Sequence, residues 1–541
     1  MRTLGTLASP GTWSTSGPLV GRTVANAQLL RSLVRYGTMD EVAIFIGEGL
    51  DVEALEALTA SWKVPDDRIA VYTLWQLPEL LKRGAIDVLH HASHVERLYD
   101  LLAVRDRYAE KPTPVTGQTH SLSYPRYYQE LARWVFITPA ETDAIFCSSH
   151  AGRTTMERSF DAIEGAARQR GLSGELPRWK LPVVPLGVEV AELEDGDRVA
   201  GRQRLGLPKD ALVLVGLARF TEYDKADLFP LLRVLERLVH APVAGAPEVF
   251  LLLGGARQGT RTPEMLQLWA KHLGIDGRLR LAVDFPEAEK KDLLAAGDIF
   301  VSPVANLQET FGQSVIEAQA AGLPCVVSDF DGYKDTVDAE VGIRVPTRLN
   351  VPWGELSELA PLMYERPLHL ALGQSVEVDL GALEAALREL IADPVRRMAL
   401  GRAASARARS RYDWKKVVIE LETHWRALRA TAWTPPHRPH PLKLDYQALF
   451  GHFGTEVANP MRRLQVHPER PTHVIYPELG SLVTQQDVAA VRSWAVTPRS
   501  WSEVLEFLGA RLSDRPAWMA SFVASWLVKQ GLLVDQGPEG G

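Results

Sequence analysis

The sequence predicts an α/β protein built from two doubly wound domains, each a parallel sheet between layers of helices, followed by a small, mainly helical module. Three observations predict this. Short β-branched runs alternate with longer helical patterns, and that alternation is how strand–helix–strand units with crossover helices are written in a sequence. The alternation comes in two successive blocks. A Pro-rich stretch then separates a last segment whose apolar residues repeat with a helical period. At about 100–200 residues per domain, a chain of 541 residues has room for all three parts.

In the first block, Glu41–Gly47, Arg68–Leu74, Ile86–His91, Pro114–Thr119, Ala144–Cys147 and Leu181–Pro185 read as strands, and Leu19–Arg35 as the first helix. The second block starts near Ala211 with ALVLVGLAR and continues through VFLLLGGAR, RLRLAVD, DIFVSP and PCVVSD, each separated from the next by a helical pattern. The join falls near Gly187–Arg204, an acidic, Gly-containing stretch. The expected division is therefore 1–190 for the first domain and 191–410 for the second. Residues 411–430 form a closing helix packed back on the first domain, 431–441 a linker and 442–541 an accessory module.

From Ala392 to Lys416 the chain reads as one long Arg-rich helix with eight basic residues after position 395 and a single acid, Asp413. Such a stripe is either a solvated helix face or a docking surface for an anionic acceptor or lipid. TAWTPPHRPHP (Thr431–Pro441) reads as a linker. Beyond it, Trp501, Val504, Leu505, Leu508 and Leu512 fall on one helical face, and Met519, Phe522, Val523, Trp526 and Leu527 repeat the spacing. Gly531 then stops the helix before a short strand, a winged-helix-like order. From Pro441 onward nine Lys/Arg face ten Asp/Glu, which argues against duplex binding. Peptide docking, dimerisation and a structural cap remain open for this module.

Composition is that of an ordinary globular enzyme. Lys+Arg total 60 against 67 for Asp+Glu, so no global charge recommends nucleic acid or an anionic membrane as the main partner. The only two cysteines, Cys147 and Cys325, sit in short apolar runs and read as small core residues, so neither a disulfide framework nor a cysteine metal site is expected. No cationic start with an apolar run opens the chain, and no stretch nears the roughly 18 apolar residues of a membrane span. The expectation is a soluble cytoplasmic protein.

The chemistry concentrates in DIFVSPVANLQETFGQSVIEAQAAGLPCVVSDFDG (Asp298–Gly332). A strand runs into a loop and the loop into a helix from about Gln313, with Glu309 in the loop and Glu317 on the helix. A ligand at the C-terminal edge of a parallel sheet would meet both carboxylates. The backbone N–H groups of Thr310, Phe311, Gly312 and Gln313 at the helix start suit phosphate oxygens. Gly312 permits close approach, and carboxylates accept from the vicinal hydroxyls of a sugar. Upstream, Arg219 ends the strand of VGLARFTEYDK and Lys225 follows in the turn. Two cations there suit a diphosphate that gains charge as its bond to a sugar breaks. The bland alternatives are a capped helix with two surface glutamates, and a Lys225 that merely pairs with Asp224 or Asp227.

Glu309 and Glu317 with TFGQSVIEAQAAGLPCVVSD, preceded by Arg219 and Lys225, resemble the retaining nucleotide-sugar glycosyltransferases of family 4, which have the GT-B fold of two facing Rossmann-like domains. The resemblance is specific in Ala211–Asp329, continuous but weaker over the first 190 residues, and ends near Leu428. It implies a nucleoside-diphosphate sugar as donor substrate, with no bound metal or other cofactor. It also implies that Glu317 holds the ribose hydroxyls, Glu309 contacts the donor sugar, Arg219 and Lys225 hold the diphosphate, and the Phe311–Gly312–Gln313 amides assist. The family's histidine after a cleft-facing strand is matched by His120 in PVTGQTHSLSY, where an imidazole would support the sugar in the transition state. His90 and His91 lie on another strand and read as structural. The family's first glycine loop corresponds to SPGTWSTSGPLVGRT, with Gly11, Gly17 and Gly21. Gly17 is the best-placed of these for a phosphate or acceptor, although a Trp and several Ser/Thr lengthen the loop.

Asp329–Phe330–Asp331 has the form of a metal–diphosphate motif, but it follows a strand of the second block and is read as a decoy. Gly254, Gly255 and Gly259 lack dinucleotide-site spacing and read as a cleft-lining turn, with Gly254 near the donor. The expected reaction is hexosyl transfer to an acceptor hydroxyl of a glycan, lipid carrier or peptide, by same-face displacement without a protein nucleophile. The competing readings are a non-catalytic binding or scaffold protein of the same shape, and a same-fold epimerase or phosphorylase. A protein partner or dimerisation through 442–541 and peripheral membrane contact complete the expected partners.

Overall fold

In a computed structural model, residues 1–8, 21–47, 55, 59–60, 62, 66–349, 351–455, 459, 461–469, 471–513 and 515–536 are described. The first sheet contains β1 (Thr3–Ala8), β2 (Glu41–Ile46), β3 (Ile69–Thr73), β4 (Val88–His91), β5 (Val115–Gln118) and β6 (Ala144–Phe146) in the order β3-β2-β1-β4-β5-β6, all parallel. The second contains β7 (Leu212–Leu217), β8 (Val249–Gly255), β9 (Leu279–Val283), β10 (Ile299–Ser302), β11 (Cys325–Ser328) and β12 (Gly342–Val345). Its order, β12-β11-β10-β7-β8-β9, is the same topology read from the other edge. In each sheet the order reverses between the first and fourth strands. Loops on either side of that point diverge to opposite faces and leave a crevice at the strand C-termini. The fold is GT-B.

Central strands are buried on both faces because helices cover both. Every residue of β7, LVLVGL, is buried, which explains a continuous apolar run instead of an alternating one. β1 was not expected. Its sequence, TLGTLA, is interrupted by Thr and Gly, yet it is central, and Gly5 lets Leu89 of the neighbouring strand pack closely, since a Cβ there would stand 2.8 Å from the Leu89 side chain. The expected strand Leu181–Pro185 is a correction. It runs beside β6 only through isolated bridges at Lys180 and Val183, because Pro182 and Pro185 have no N–H to extend a ladder. The first helix is seen as Gly21–Tyr36.

The chain crosses between the two sheets twice, side by side. Val188 N–H donates to Tyr412 O at 2.8 Å and Trp414 N–H to Val188 O at 3.2 Å. Gly187 makes this crossing possible, since a Cβ would meet the Trp414 ring at 2.5 Å. The helix Trp414–Ala430 then lays Trp414, Val417, Val418, Leu421 and Trp425 on Leu4, Leu29, Leu33, Val88 and Phe146 of the first domain. The long Arg-rich helix is not continuous. The helix Pro394–Arg407 ends in one π turn over Ala408–Tyr412, and Asp413 caps the next helix by accepting from Lys415 N–H at 2.9 Å. Several of its cations are committed: Arg407 to Asp338 and Glu340 at 2.7 and 3.0 Å, Arg409 to Glu194 at 2.5 Å, and Arg396 to Glu389.

The Pro-rich stretch lies along the helix Leu98–Tyr108 of the first domain. Trp433 stacks on the Arg105 guanidinium at 4.7 Å, Arg438 pairs with Asp106 at 2.8 Å and His440 with Asp100 at 2.9 Å. The C-terminal module has its own core. Val504, Leu508, Leu512, Met519, Val523, Trp526 and Leu527 from the two expected helices pack with a third helix, Gln485–Trp494, which was not expected. A three-stranded antiparallel sheet completes it: β15 (Arg463–Val466) between β16 (Arg499–Ser500) and β17 (Leu533–Asp535). Trp518 of the module packs on Trp75 of the first domain at 5.1 Å. Among the described residues, no helix is long and apolar enough to cross a membrane.

Candidate active site

The second sheet brings its charged residues to the crevice. Arg219 follows the C-terminal end of β7, and the loop carrying Glu309 follows β10, the neighbouring strand across the reversal. Ala218 and Arg219 lie directly on the end of β8, because Gly255 has no side chain. A Cβ there would stand 1.8 Å from Ala218 O. Arg219 donates to Asp224 at 3.0 Å and to Gln258 at 3.2 Å, while Thr221 holds the other Asp224 oxygen at 2.5 Å. Lys225 pairs with Glu309, and not with Asp224 or Asp227, whose oxygens serve Arg219 and Gln374. Asn306 locks the two loops together by donating to Tyr223 O at 2.7 Å and accepting from Gln308 N–H at 3.0 Å.

The next turn depends on one glycine. Gly312 has φ +93°, and a Cβ would meet the Tyr333 ring at 2.4 Å, so only glycine fits. Thr310 and Phe311 are buried, and Phe311 packs on Tyr412 of the interdomain crossing at 6.1 Å. The Thr310 amide is taken by Gln308 O at 3.1 Å, which removes it from the expected phosphate donors. The Phe311, Gly312 and Gln313 amides precede the first bond of the helix Gln313–Ala320, Val315 N–H to Gly312 O at 3.0 Å. Gln313 reaches the first domain, donating to Gln28 at 2.9 Å.

Glu317 is buried, and Lys290 donates to it at 3.0 Å while also pairing with Glu287. Burial works against the Lys290 ammonium, but the facing carboxylates of Glu317 and Glu287 outweigh it and hold its pKa above the ordinary lysine value. These side chains line a cavity of about 480 Å³ with Gln28, Arg31 and Glu189 from the other side of the crevice. Sequence reasoning missed Lys290, because in PEAEKKDLL it is one of several charges on a short helical pattern.

His120 stands beyond the end of β5, its Nε2 3.1 Å from Ala92 O. A carbonyl only accepts, so Nε2 carries the proton. His90 is fully buried, bonded through Nδ1 to Thr116 at 3.0 Å and packed on Trp425. Burial pushes its pKa down to about 3, the signature of a neutral core histidine. Gly254 is a packing position, enclosed by Leu217 and Phe285, and Gly255 beside it is the glycine that shapes the site. Gly11 and Gly17 lie outside the described residues.

The Asp329–Asp331 pair is divided. Asp329 pairs with Arg344 at 3.1 Å. Asp331, at φ +43°, turns toward Glu309, since the backbone at Gly332 lies against Thr310 and Phe311. Burial, reinforced by the Glu309 carboxylate, pushes the Asp331 pKa up to about 8. Asp331 therefore adds to the two glutamates of the site a carboxyl whose charged form burial and Glu309 disfavour.

Residues 197–351 match the family model described as glycosyl transferases group 1. The chain is 28% identical over 455 residues to a D-inositol 3-phosphate glycosyltransferase of Kineococcus radiotolerans, covering 79% of this chain and 94% of that protein. It is 34% identical over 178 residues to one of the same name from Geodermatophilus obscurus, covering 32% and 38%. Among solved structures, HepE of Anabaena in complex with UDP superposes with a TM-score of 0.51 at 18% identity, over 79% of this chain and all of that one. A Rickettsia africae glycosyltransferase gives a TM-score of 0.54 at 11% identity, over 80% and 99%. Residues 197–351 thus carry the likeness to group 1 glycosyl transferases, within a chain whose two reversed sheets have the GT-B fold.

Proposed function

We propose that the protein is a retaining glycosyltransferase that moves a hexose from a nucleoside-diphosphate sugar to an acceptor hydroxyl. The observation that carries this reading is the convergence of Arg219, Lys225, Glu309 and Glu317 at the ends of β7 and β10, where the strand order reverses. Glu317 accepts from the ribose hydroxyls, and Glu309 from hydroxyls of the donor sugar. Arg219, Lys225 and the amides of Phe311–Gln313 take the diphosphate and neutralise the charge it gains as the sugar–oxygen bond breaks. The acceptor oxygen forms its bond to the anomeric carbon on the same face, and its proton passes to the leaving phosphate oxygen. His120 supports the sugar from the first domain.

Charge neutralisation by an arginine and a lysine gives no role to a metal ion. A cytoplasmic site of action fits two buried cysteines that are both free thiols. The name of the 28%-identical relative makes inositol 3-phosphate the first acceptor to try.

The test is calorimetric binding of UDP, GDP and ADP, followed by turnover of their sugar derivatives, in the wild type and in folded Arg219→Ala and Glu317→Ala variants. Both variants are expected to lose at least about tenfold in nucleotide affinity or turnover. Normal binding and transfer by both would sink the reading.

A further inference from the structure

Between β12 and the helix Leu380–Ala392 a doubly wound sheet needs only a turn. Here the chain makes an excursion over residues 346–379. β13 (Thr347–Leu349) and β14 (Val376–Val378) pair antiparallel, and the helices Gly354–Leu359 and Glu365–Gln374 project from that hairpin. Nothing in the sequence reading anticipates it.

The excursion crosses the crevice. On the first domain it meets the segment just after His120: His369 Nε2 lies 3.2 Å from Ser123 Oγ, the His369 ring packs edge-on to Tyr124 at 4.6 Å, and Glu365 pairs with Arg126 at 3.2 Å. On the second domain it grips the donor-side loops on both flanks of Lys225. Arg366 pairs with Glu222 at 3.2 Å, Gln374 donates to Asp227 at 2.9 Å, and Gly373 abuts Asn306. His369 therefore sits where the two halves of the site face each other.

Its tautomer follows from its partners. Nδ1 lies 2.9 Å from Glu365 O, and a carbonyl only accepts, so Nδ1 carries the proton of the neutral ring. His369 is 1% exposed, and burial lowers its pKa, which favours that neutral form. Nε2 is then a lone-pair acceptor, and the Ser123 hydroxyl donates to it.

We infer that the excursion forms part of the acceptor site, and that His369 Nε2 is the hydrogen-bond acceptor that orients the incoming hydroxyl, approaching along the direction from which Ser123 Oγ–H now donates. This rests on the function proposed above and adds a residue and a substrate feature to it. The acceptor is a polyhydroxylated molecule whose reacting hydroxyl enters between Ser123 and His369. His369 takes no proton. It fixes the direction of the O–H bond, and the proton still passes to the leaving phosphate.

The experiment uses the full chain as wild type, His369→Ala and His369→Gln. Binding of UDP and GDP is measured by calorimetry. Transfer is measured from UDP-glucose and GDP-mannose to inositol 3-phosphate, glucose and glycerol, with water as the acceptor where only donor hydrolysis occurs. The inference expects unchanged nucleotide affinity in all variants. For His369→Ala it expects a loss of about tenfold or more in kcat/KM for the acceptor at unchanged donor KM, and for His369→Gln recovery of most of that loss, because the Gln carbonyl accepts in place of Nε2. Wild-type acceptor kinetics in His369→Ala would overturn the inference, as would nucleotide affinity lost together with transfer, which marks a structural role. An unchanged rate of donor hydrolysis in His369→Ala, where water is the only acceptor used, also overturns it. A wild type that binds neither nucleotide and consumes neither donor instead removes the proposed function, and this inference falls with it.

Discussion

Lys225 donates to Glu309 across the ends of two neighbouring strands, so the cation expected at the diphosphate and the carboxylate expected at the sugar are held by each other. The pair fixes both loops, and both side chains are largely shielded, at 19% and 10% exposure.

Removing one member therefore separates stability from activity. Lys225→Ala leaves Glu309 without its partner in a shielded site, and a loss of about 1–3 kcal/mol in urea unfolding is expected. Glu309→Gln keeps the shape and is expected to cost less stability while lowering turnover at least about a hundredfold. Equal stability losses in the two variants would contradict this assignment.

Gly312→Ala tests the turn that starts the helix Gln313–Ala320. At φ +93°, with the Tyr333 ring 2.4 Å from any Cβ, alanine has neither the conformation nor the space. The variant is expected to lose about 2 kcal/mol or more of stability and to weaken nucleotide binding, whereas Gly259→Ala, at φ +73° in open surroundings, loses stability from strain alone.

Asp331 gives a pH signature. With its folded pKa raised to about 8 from 3.8, the folded state holds a proton that the unfolded state has released. Its contribution to stability is present at low pH and is lost as pH rises between those two values. Asp331→Asn is expected to flatten that part of the profile and to raise the melting temperature relative to wild type near pH 8. Parallel profiles for the two proteins would show that Asp331 is ionised in the folded state.

The strap over residues 431–441 makes a further prediction. Arg438→Ala with Trp518→Ala removes the strap's ion pair to Asp106 and the module's packing on Trp75, each a contact with the first domain. The module's own core is left intact, so limited proteolysis is expected to cut faster within 431–441 while the fragment 442–541 survives.

The site was legible in the sequence to the extent that it lies in one continuous segment. ETFGQSVIEAQAAG carries a loop carboxylate, an obligatory glycine and a helix carboxylate at fixed spacing, and strand–helix alternation places that segment at a sheet edge. Lys290 and Asp331 were not legible as site residues. Lys290 looks like a surface charge until the helix Lys290–Ala295 packs it on Glu317, and Asp331 looks like half of a metal motif until its positive φ turns it to Glu309.

Most strands of the two doubly wound sheets, the apolar helical faces of the closing helix and of the module, and the strand-end residues Arg219, Glu309 and Glu317 are legible in the chain alone. These follow from local period and from short-range spacing, which the chain carries in any conformation. Which charges pair emerges only on folding. It sent Lys225 to Glu309, Arg219 to Asp224 and Lys290 to Glu317, laid the Pro-rich stretch along the first domain, and carried His369 to Ser123 across 246 positions of sequence. The physical reason is that an ion pair or a cross-domain hydrogen bond gains its strength from shielding and from distances set by packing, and neither exists until the sheets have formed and faced each other.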